Sequence, residues 1–393
     1  MQSVCSDLDR VRRRRGRATV GKPGKTVSIE PIFPIRPFYV LPATATWSQV
    51  ACPDPRWRVA VKPSTVLKLH FRPPTSEWSI DSGFLSRWEA LFTRVPQRGA
   101  GYALVSKESA ADVIVAPSGD QVSGRFWRDI SPPKPKEIET VVWDIGDRPL
   151  GRESGFFCSL PKQLFDPSRH CTMSYPVAWN DYIEKFAPQQ ATFDFGFMGS
   201  MSAGVRRRIA DRFEPVAREL NAAIIESSWD RRLQSFAYAP EQLRAYANFI
   251  QVTKFVLCPR GKGTGSIRLF EVLKAGRVPV VISDDYVLPT LQGPTAWEDS
   301  ALFVGERHSA SIPSLVSRKL GEWETMAANA RRLWEENFSD AKVIELIAFN
   351  LARLRTFPPG KRQPTLRRSA KVAAYVLAQQ ARPMLGRVRA LFD

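Results

Sequence analysis

The chain is poor in the side chains that build metal centres and covalent staples, with five cysteines and three histidines in 393 residues. The cysteines, at 5, 52, 158, 171 and 258, form no C-x-x-C pair and leave one over in any pairing. This argues against a zinc site or a disulfide framework and favours a reducing compartment. No apolar run reaches the ~18 residues of a membrane span. Arg12 to Arg15 have no apolar stretch behind them, so they do not read as part of a secretory signal. The G-x-x-x-x-G-K-[ST] of a P-loop is missing, which weakens a kinase-type phosphate site. Asp194-Phe195-Gly196 has no H-R-D loop before it and matches a kinase motif by coincidence. The one D-x-D is Asp7 to Asp9 near the start, and Asp284-Asp285 are adjacent rather than spaced.

Acidic residues are the scarcer charge, 39 against 57 Lys and Arg, for a net charge of +18. The excess sits at the ends: residues 1–25 carry +6 and residues 361–393 carry +7, leaving +5 on the body. Basic tails on a weakly basic body argue against a nucleic-acid-binding face. The length suits two domains. Residues 1–28 read as a basic disordered tail, and the proline-rich stretch after them as extended. A first domain is expected over 29–185, a second over 190–358, and a basic helical tail over 359–393. The helix of that tail, Lys371 to Phe392 interrupted by Pro383, either lies on a membrane surface or crosses back onto the first domain.

Short apolar runs at Val66–Phe71, Tyr102–Val105, Ala111–Pro117, Glu139–Asp144 and Phe156–Leu160 read as strands. Phe84, Leu85, Trp88, Leu91 and Phe92 recur at helical spacing after caps at Asp81 and Ser82. Residues 161–190, with four prolines, read as a loop at the domain junction. Phe193–Met198 and Asn221–Glu226 then read as strands, Arg206–Leu220 and Pro240–Ile250 as helices. Three closing helices are expected at Ser311–Leu320, Glu322–Phe338 and Ala341–Leu354. Strands alternating with helices imply parallel, doubly wound sheets, whose ligands sit beyond the carboxyl ends of strands.

The stretch with most chemistry runs from Lys254 to Pro289. Phe255 to Cys258 is a buried-strand run, followed by the basic glycine loop Arg260-Gly261-Lys262-Gly263-Thr264-Gly265. Ser266 is a good N-cap for a helix over Ile267 to Ala275, and Gly276 ends it. A second strand follows at Val278 to Ile282. Such a βαβ unit presents backbone N–H groups at a helix N-terminus, a ready anion site. Arg268 and Glu271 share one face beside the loop. Arg268 can fork onto a diphosphate and Glu271 can accept from ribose hydroxyls. The competing reading is an intrahelical Arg–Glu pair on a solvated face, but the rest of this helix is apolar.

The pattern carried by Phe255, Leu257, Pro259, Gly261, Gly265, Ser266, Arg268, Glu271, Pro279, Val280, Ser283, Leu288 and Pro289 resembles the signature of exostosin-like glycosyltransferases. The resemblance covers roughly 100–355 and is densest over 193–290, where Phe193 to Ser200 and Arg206-Arg207 resemble the start of the family's donor half. It implies an α/β fold of two Rossmann-like domains facing a cleft, the GT-B arrangement. It also implies transfer of a sugar from a nucleotide-sugar, UDP-linked, to a glycan or lipid-linked glycan acceptor, in polysaccharide or glycan synthesis. It assigns Arg268 to the diphosphate and Glu271 to the ribose, with inversion at the anomeric carbon. The helix start at Ser266 and Gly265 and the loop cations Arg260 and Lys262, for which plain solvent exposure competes, can join the donor site; with no usable D-x-D, no cofactor or metal is expected beside the donor. The general base is sought in the first domain, where Asp144 closes a strand and Asp147 follows in the loop; a turn-capping role competes for both. His70 is a weaker candidate, with a core role competing. Eukaryotic members of the family are typically Golgi-anchored by a membrane span. Without one, the expectation is a bacterial, cytoplasmic protein, with its basic tails in peripheral contact with the inner face of the membrane. Two other classes stay open: a nucleotide-binding phosphotransfer or hydrolase protein using the glycine loop, and a basic-tailed nucleic-acid-binding protein.

Overall fold

Short β-branched and aromatic runs, too brief for helices and flanked by glycine and proline, assemble here into two sheets. In this computed structural model the described residues are 66–73, 82–118, 138–175, 180–227, 240–358 and 370–377, all within one compact unit spanning 47–393. The expected tail at 1–28, the proline-rich stretch after it and most of 359–393 lie outside the described residues.

The first sheet holds β1 (Leu67–Phe71), β2 (Arg98–Gly99), β3 (Tyr102–Leu104), β4 (Val113–Ser118), β5 (Glu139–Asp144), β6 (Gly155–Phe157) and β7 (His170–Thr172), in the order β2-β3-β1-β4-β5-β6-β7. All pairings are parallel except the short β2–β3 ribbon. Helix α1 (Ser82–Arg94) places Trp88 and Leu91 in the core with Leu69, Val113 and Trp143. The second sheet holds β8 (Phe193–Gly199), β9 (Ala222–Glu226), β10 (Thr253–Pro259), β11 (Val278–Ile282) and β12 (Leu302–Val304), in the order β12-β11-β10-β8-β9 and parallel throughout. Its helices are α2 (Gly204–Phe213), α3 (Pro240–Gln251), α4 (Ile267–Ala275), α5 (Ile312–Lys319) and α6 (Trp323–Asn337), and α7 (Val343–Arg355) follows them. Phe255, Leu257, Val278 and Val280 have no exposed surface, and burial of each such side chain is worth ~1.5–3 kcal/mol. The two Rossmann-like α/β layers that the sequence leads one to expect are therefore present.

Three details differ from the sequence reading. The helix expected over Arg206–Leu220 ends at Phe213 and continues as turns, because Pro215 has no N–H to extend the ladder. The junction 161–190 contains β7, a three-residue strand pairing with β6 that is too short and too polar to show a period. Helix α7, expected with the second domain, packs on the first sheet. Its Val343, Ile344, Leu346 and Leu351 share one core with Leu69 and Trp143. Arg353 donates to the carbonyls of Pro167 and His170 at 3.1 and 3.3 Å, and Arg355 pairs with Glu139 at 2.9 Å. A short helix over 370–377 likewise sets Val372, Tyr375 and Val376 against Leu150, Phe157, Leu160 and Leu164 of the first half.

Candidate functional site at the sheet's switch point

In the second sheet β9 lies on one side of β8 and β10 on the other, so the winding reverses between β8 and β10. The carboxyl ends of two such strands part to form a crevice, the usual ligand site of an open parallel sheet. Here those ends are Gly199-Ser200 and Pro259-Arg260.

Two arginines occupy this place. Arg206, in the first turn of α2, spans the crevice with three hydrogen bonds: Nη1 to the Ser200 carbonyl at 3.2 Å, Nη2 to Pro259 at 3.4 Å and Nε to Arg260 at 3.1 Å. Arg268, in the first turn of α4, is 8% exposed. Its Nη2 donates to the Met198 carbonyl at 2.7 Å, and its guanidinium carbon lies 5.0 Å from the Phe197 ring centre and 5.6 Å from that of Tyr246. Its Nε and Nη1 are buried without a hydrogen-bond partner. Gly199 makes room for it: a Cβ there would lie 2.5 Å from Arg268 Nη2.

Ser266 adopts the extended backbone of an N-cap, but its hydroxyl makes no capping bond and is buried without a partner. The hydroxyls of Tyr246, Ser283 and Tyr286 are in the same condition. The Tyr246 hydroxyl neighbours the Arg268 guanidinium without the geometry of a hydrogen bond. Each unsatisfied buried polar group costs ~1–3 kcal/mol, and of these Ser266, Arg268, Tyr246 and Tyr286 lie around the start of α4, where polar ligand atoms could satisfy them.

Electrostatics sharpen the picture. Burial, and then the neighbouring Arg268 charge, lower Arg206 to about 10, still protonated at neutral pH. Burial acts to lower Arg268 as well, but Tyr246, Cys258 and Glu271 outweigh it and leave its pKa raised. Burial pushes Tyr246, Tyr175 and Tyr286 up, so all three keep their protons. It also lifts the Cys258 thiol to about 12 and the Cys158 thiol well above its ordinary value, which leaves both unreactive.

The residues expected at the donor site separate into two groups. Arg268, Ser266, Gly265 and Glu271 meet around the start of α4, and the Glu271 charge acts on both Arg268 and Tyr246. Arg260 turns away and forks onto Glu306, Nε to Oε1 at 2.5 Å and Nη2 to Oε2 at 3.1 Å. Lys262 is exposed at the loop tip.

The glycine loop also meets the first half of the chain. Thr264 Oγ1 donates to the Ser159 carbonyl at 2.8 Å. A Cβ on Gly263 would stand 2.7 Å from Ser159 Oγ and 2.9 Å from the Asp147 carbonyl, and one on Gly265 would overlap the Cys158 carbonyl. Asp147 is thereby brought to the junction, exposed, where its charge acts on Arg206 and Tyr175. Asp144 is fully buried and accepts from Ser118 Oγ and the Gly146 N–H, both at 2.8 Å. It braces the turn that presents Asp147. His70 bonds the Val105 carbonyl through Nδ1 at 3.0 Å, a core role.

Arg206, Ser159, Tyr175 and Tyr286 escaped the sequence reading as site residues. Arg206 stands in an Arg206-Arg207-Arg208 run that looks like a solvated face; the resemblance included it without a role, and its position in the first turn after β8 is what sets it apart.

By class, this is a doubly wound α/β protein with two arginines gathered at its switch point. Residues 177–319 match the family model of the Exostosin GT47 domain. Exostosin-1 of Drosophila melanogaster is 32% identical over 112 residues, 28% of this chain and 14% of that protein. The Exostosin-1 homolog of Caenorhabditis elegans is 35% identical over 100 residues, 25% of this chain and 26% of that protein. The chain thus spans about a quarter or less of the length of these curated relatives. Among solved structures, Anabaena HepE in complex with UDP and glucose is a loose likeness, with 10% identity, a TM-score of 0.34 and coverage of 74% of this chain and 100% of that one. Residues 177–319 are thus similar to an exostosin GT47 domain, and Arg206, Ser266, Arg268 and Glu271 all lie within that segment.

These relatives correct one expectation. They are animal exostosins, from the group whose Golgi residence is noted above, and the assignment to a bacterial cytoplasm or the inner face of its membrane is withdrawn. Among the described residues no helix is long and apolar enough to cross a membrane.

Proposed function

We propose that this chain is a glycosyltransferase that moves a sugar from a UDP-linked donor to a glycan or lipid-linked glycan acceptor, with inversion and without a metal. The observation that carries this is the Arg268 guanidinium, buried at the N-terminus of α4 with two nitrogens unpartnered, inside the segment that matches the exostosin domain.

In this reading the diphosphate lies against Arg268, the Ser266 hydroxyl and the first N–H groups of α4, and the ribose reaches Glu271. The acceptor oxygen attacks the anomeric carbon from the face opposite the diphosphate. The bond from that carbon to the diphosphate oxygen breaks, and its electron pair leaves with the UDP. The developing negative charge meets Arg268 and the positive end of α4, groups already fixed before the reaction. Asp147 takes the acceptor proton as general base.

The test is thermal stabilisation by UDP against ATP. UDP is expected to raise the melting temperature and ATP not to. Arg268→Ala should remove the effect, and Glu271→Ala should weaken it. Equal shifts with both nucleotides, or a UDP shift that survives Arg268→Ala, would overturn the donor site.

A further inference from the structure

Arg206 is not used by the chemistry above, yet its guanidinium bridges the two strand ends of the switch point. Three of its donors are committed to backbone carbonyls, one on the β8 side at Ser200 and two on the β10 side at Pro259 and Arg260. Those bonds hold the two strand ends at one separation and fix the first residues of the glycine loop. Gly261 lies directly against the guanidinium, where a Cβ would be 3.2 Å from Nη2. Arg206 is bonded to the Ser200 carbonyl and Arg268 to the Met198 carbonyl, two residues apart at the end of β8, and the Arg268 charge acts on Arg206.

Two partly desolvated cations side by side repel, and a protein ordinarily sets a carboxylate between them. Arg260 has such a partner in Glu306, held at hydrogen-bond distance. Arg206 makes all three of its hydrogen bonds to neutral carbonyls, and Arg268 makes its one to the Met198 carbonyl. The Asp147 charge acts on Arg206 and the Glu271 charge on Arg268. A ligand with one phosphate answers one cation; a ligand with two linked phosphates answers both.

We propose that Arg206 is the specificity-determining residue for a diphosphate: pinned across the switch point by three carbonyls, it supplies the second fixed positive charge that makes the cradle favour nucleoside diphosphates over monophosphates. This rests on the donor-site reading above and deepens it. Arg268 binds ligand in either case, whereas Arg206 decides how many phosphates are wanted.

The test measures UDP and UMP affinities by calorimetry for the wild type, Arg206→Gln and Arg206→Lys, with folding of each checked by circular dichroism and melting temperature. The wild type should prefer UDP. Arg206→Gln should weaken UDP by about 10-fold or more and UMP by less than about 3-fold, the size expected for loss of a charge-assisted contribution. Arg206→Lys, which keeps the charge but cannot span three carbonyls, should weaken both ligands and hold the UDP-to-UMP ratio within about 3-fold of the wild type. A folded Arg206→Gln with an unchanged ratio would overturn the proposal. If that variant does not fold, a ratio that collapses in folded Arg206→Lys would overturn it, and a ratio that holds would support it. A wild type that binds neither nucleotide would overturn the donor-site reading itself and this proposal with it.

Discussion

Two carboxylates three residues apart, Asp144 and Asp147, carry different burdens, and substitution separates them. The Asp144 oxygens accept from Ser118 Oγ and the Gly146 N–H in a site with no exposure. Asp144→Asn replaces an acceptor oxygen with a donor facing a backbone N–H or a hydroxyl. The expected result is a loss of ~1–3 kcal/mol in stability, read as a lower denaturation midpoint. Asp147 is exposed, so Asp147→Asn should leave the midpoint within about 0.5 kcal/mol of the wild type, the usual range for a surface change. Its effect should fall on turnover, ~100- to 10,000-fold, with UDP binding unchanged. Loss of UDP binding in folded Asp147→Asn would remove it as the base. From sequence alone these residues were equal candidates. The hydrogen bonds that divide them come from β4 and from a turn, neither of which a linear spacing encodes.

Among elements, the βαβ unit of β10, α4 and β11 was legible almost to the residue. Its signals are local: an apolar strand, a glycine loop, an N-cap backbone at Ser266 and the left-handed C-terminal stop at Gly276, whose φ is +67°. What stayed hidden was the neighbour across the sheet. The glycine at 199 reads as a turn residue, but its φ is not positive, and its smallness serves the Arg268 guanidinium packed on it. Gly199→Ala should fold with little loss, because β8 accepts alanine, yet push Arg268 off the Met198 carbonyl. UDP-induced stabilisation should shrink by half or more while the unliganded melting temperature moves by only a few degrees. A UDP effect equal to the wild type's would show that Arg268 has slack at this contact. The edge strand β7 was missed for a similar reason: its place is set by pairing with β6, not by its own three residues.

At the scale of the molecule, the two sheets are not separable halves. Leu269, Phe270 and Leu273 of α4, Leu333 of α6 and Ile344, Ile347 and Leu351 of α7 belong to the same buried cluster as Leu69, Val113, Val141 and Trp143. A fragment of residues 180–340 would keep the second sheet and the cradle while stripping cover from α4 and α6. It should bind hydrophobic dye and unfold without a cooperative transition, whereas the full chain should melt its two sheets together. A sharp, independent transition for the fragment would contradict this shared core. Sequence reasoning placed the border between domains by prolines and loops, which report where the chain turns; α7 returns across that border because its apolar face has no other core to enter. The same crossing sets the fate of the glycine loop. Gly263 and Ser159 come from opposite halves and occupy one small volume, with the Asp147 carbonyl as its third wall. Neither position can grow unless the other shrinks. In descendants of this chain the two sites are therefore bound to change as a pair, and a hybrid that takes its halves from two divergent parents inherits a clash at this point before any question of chemistry arises.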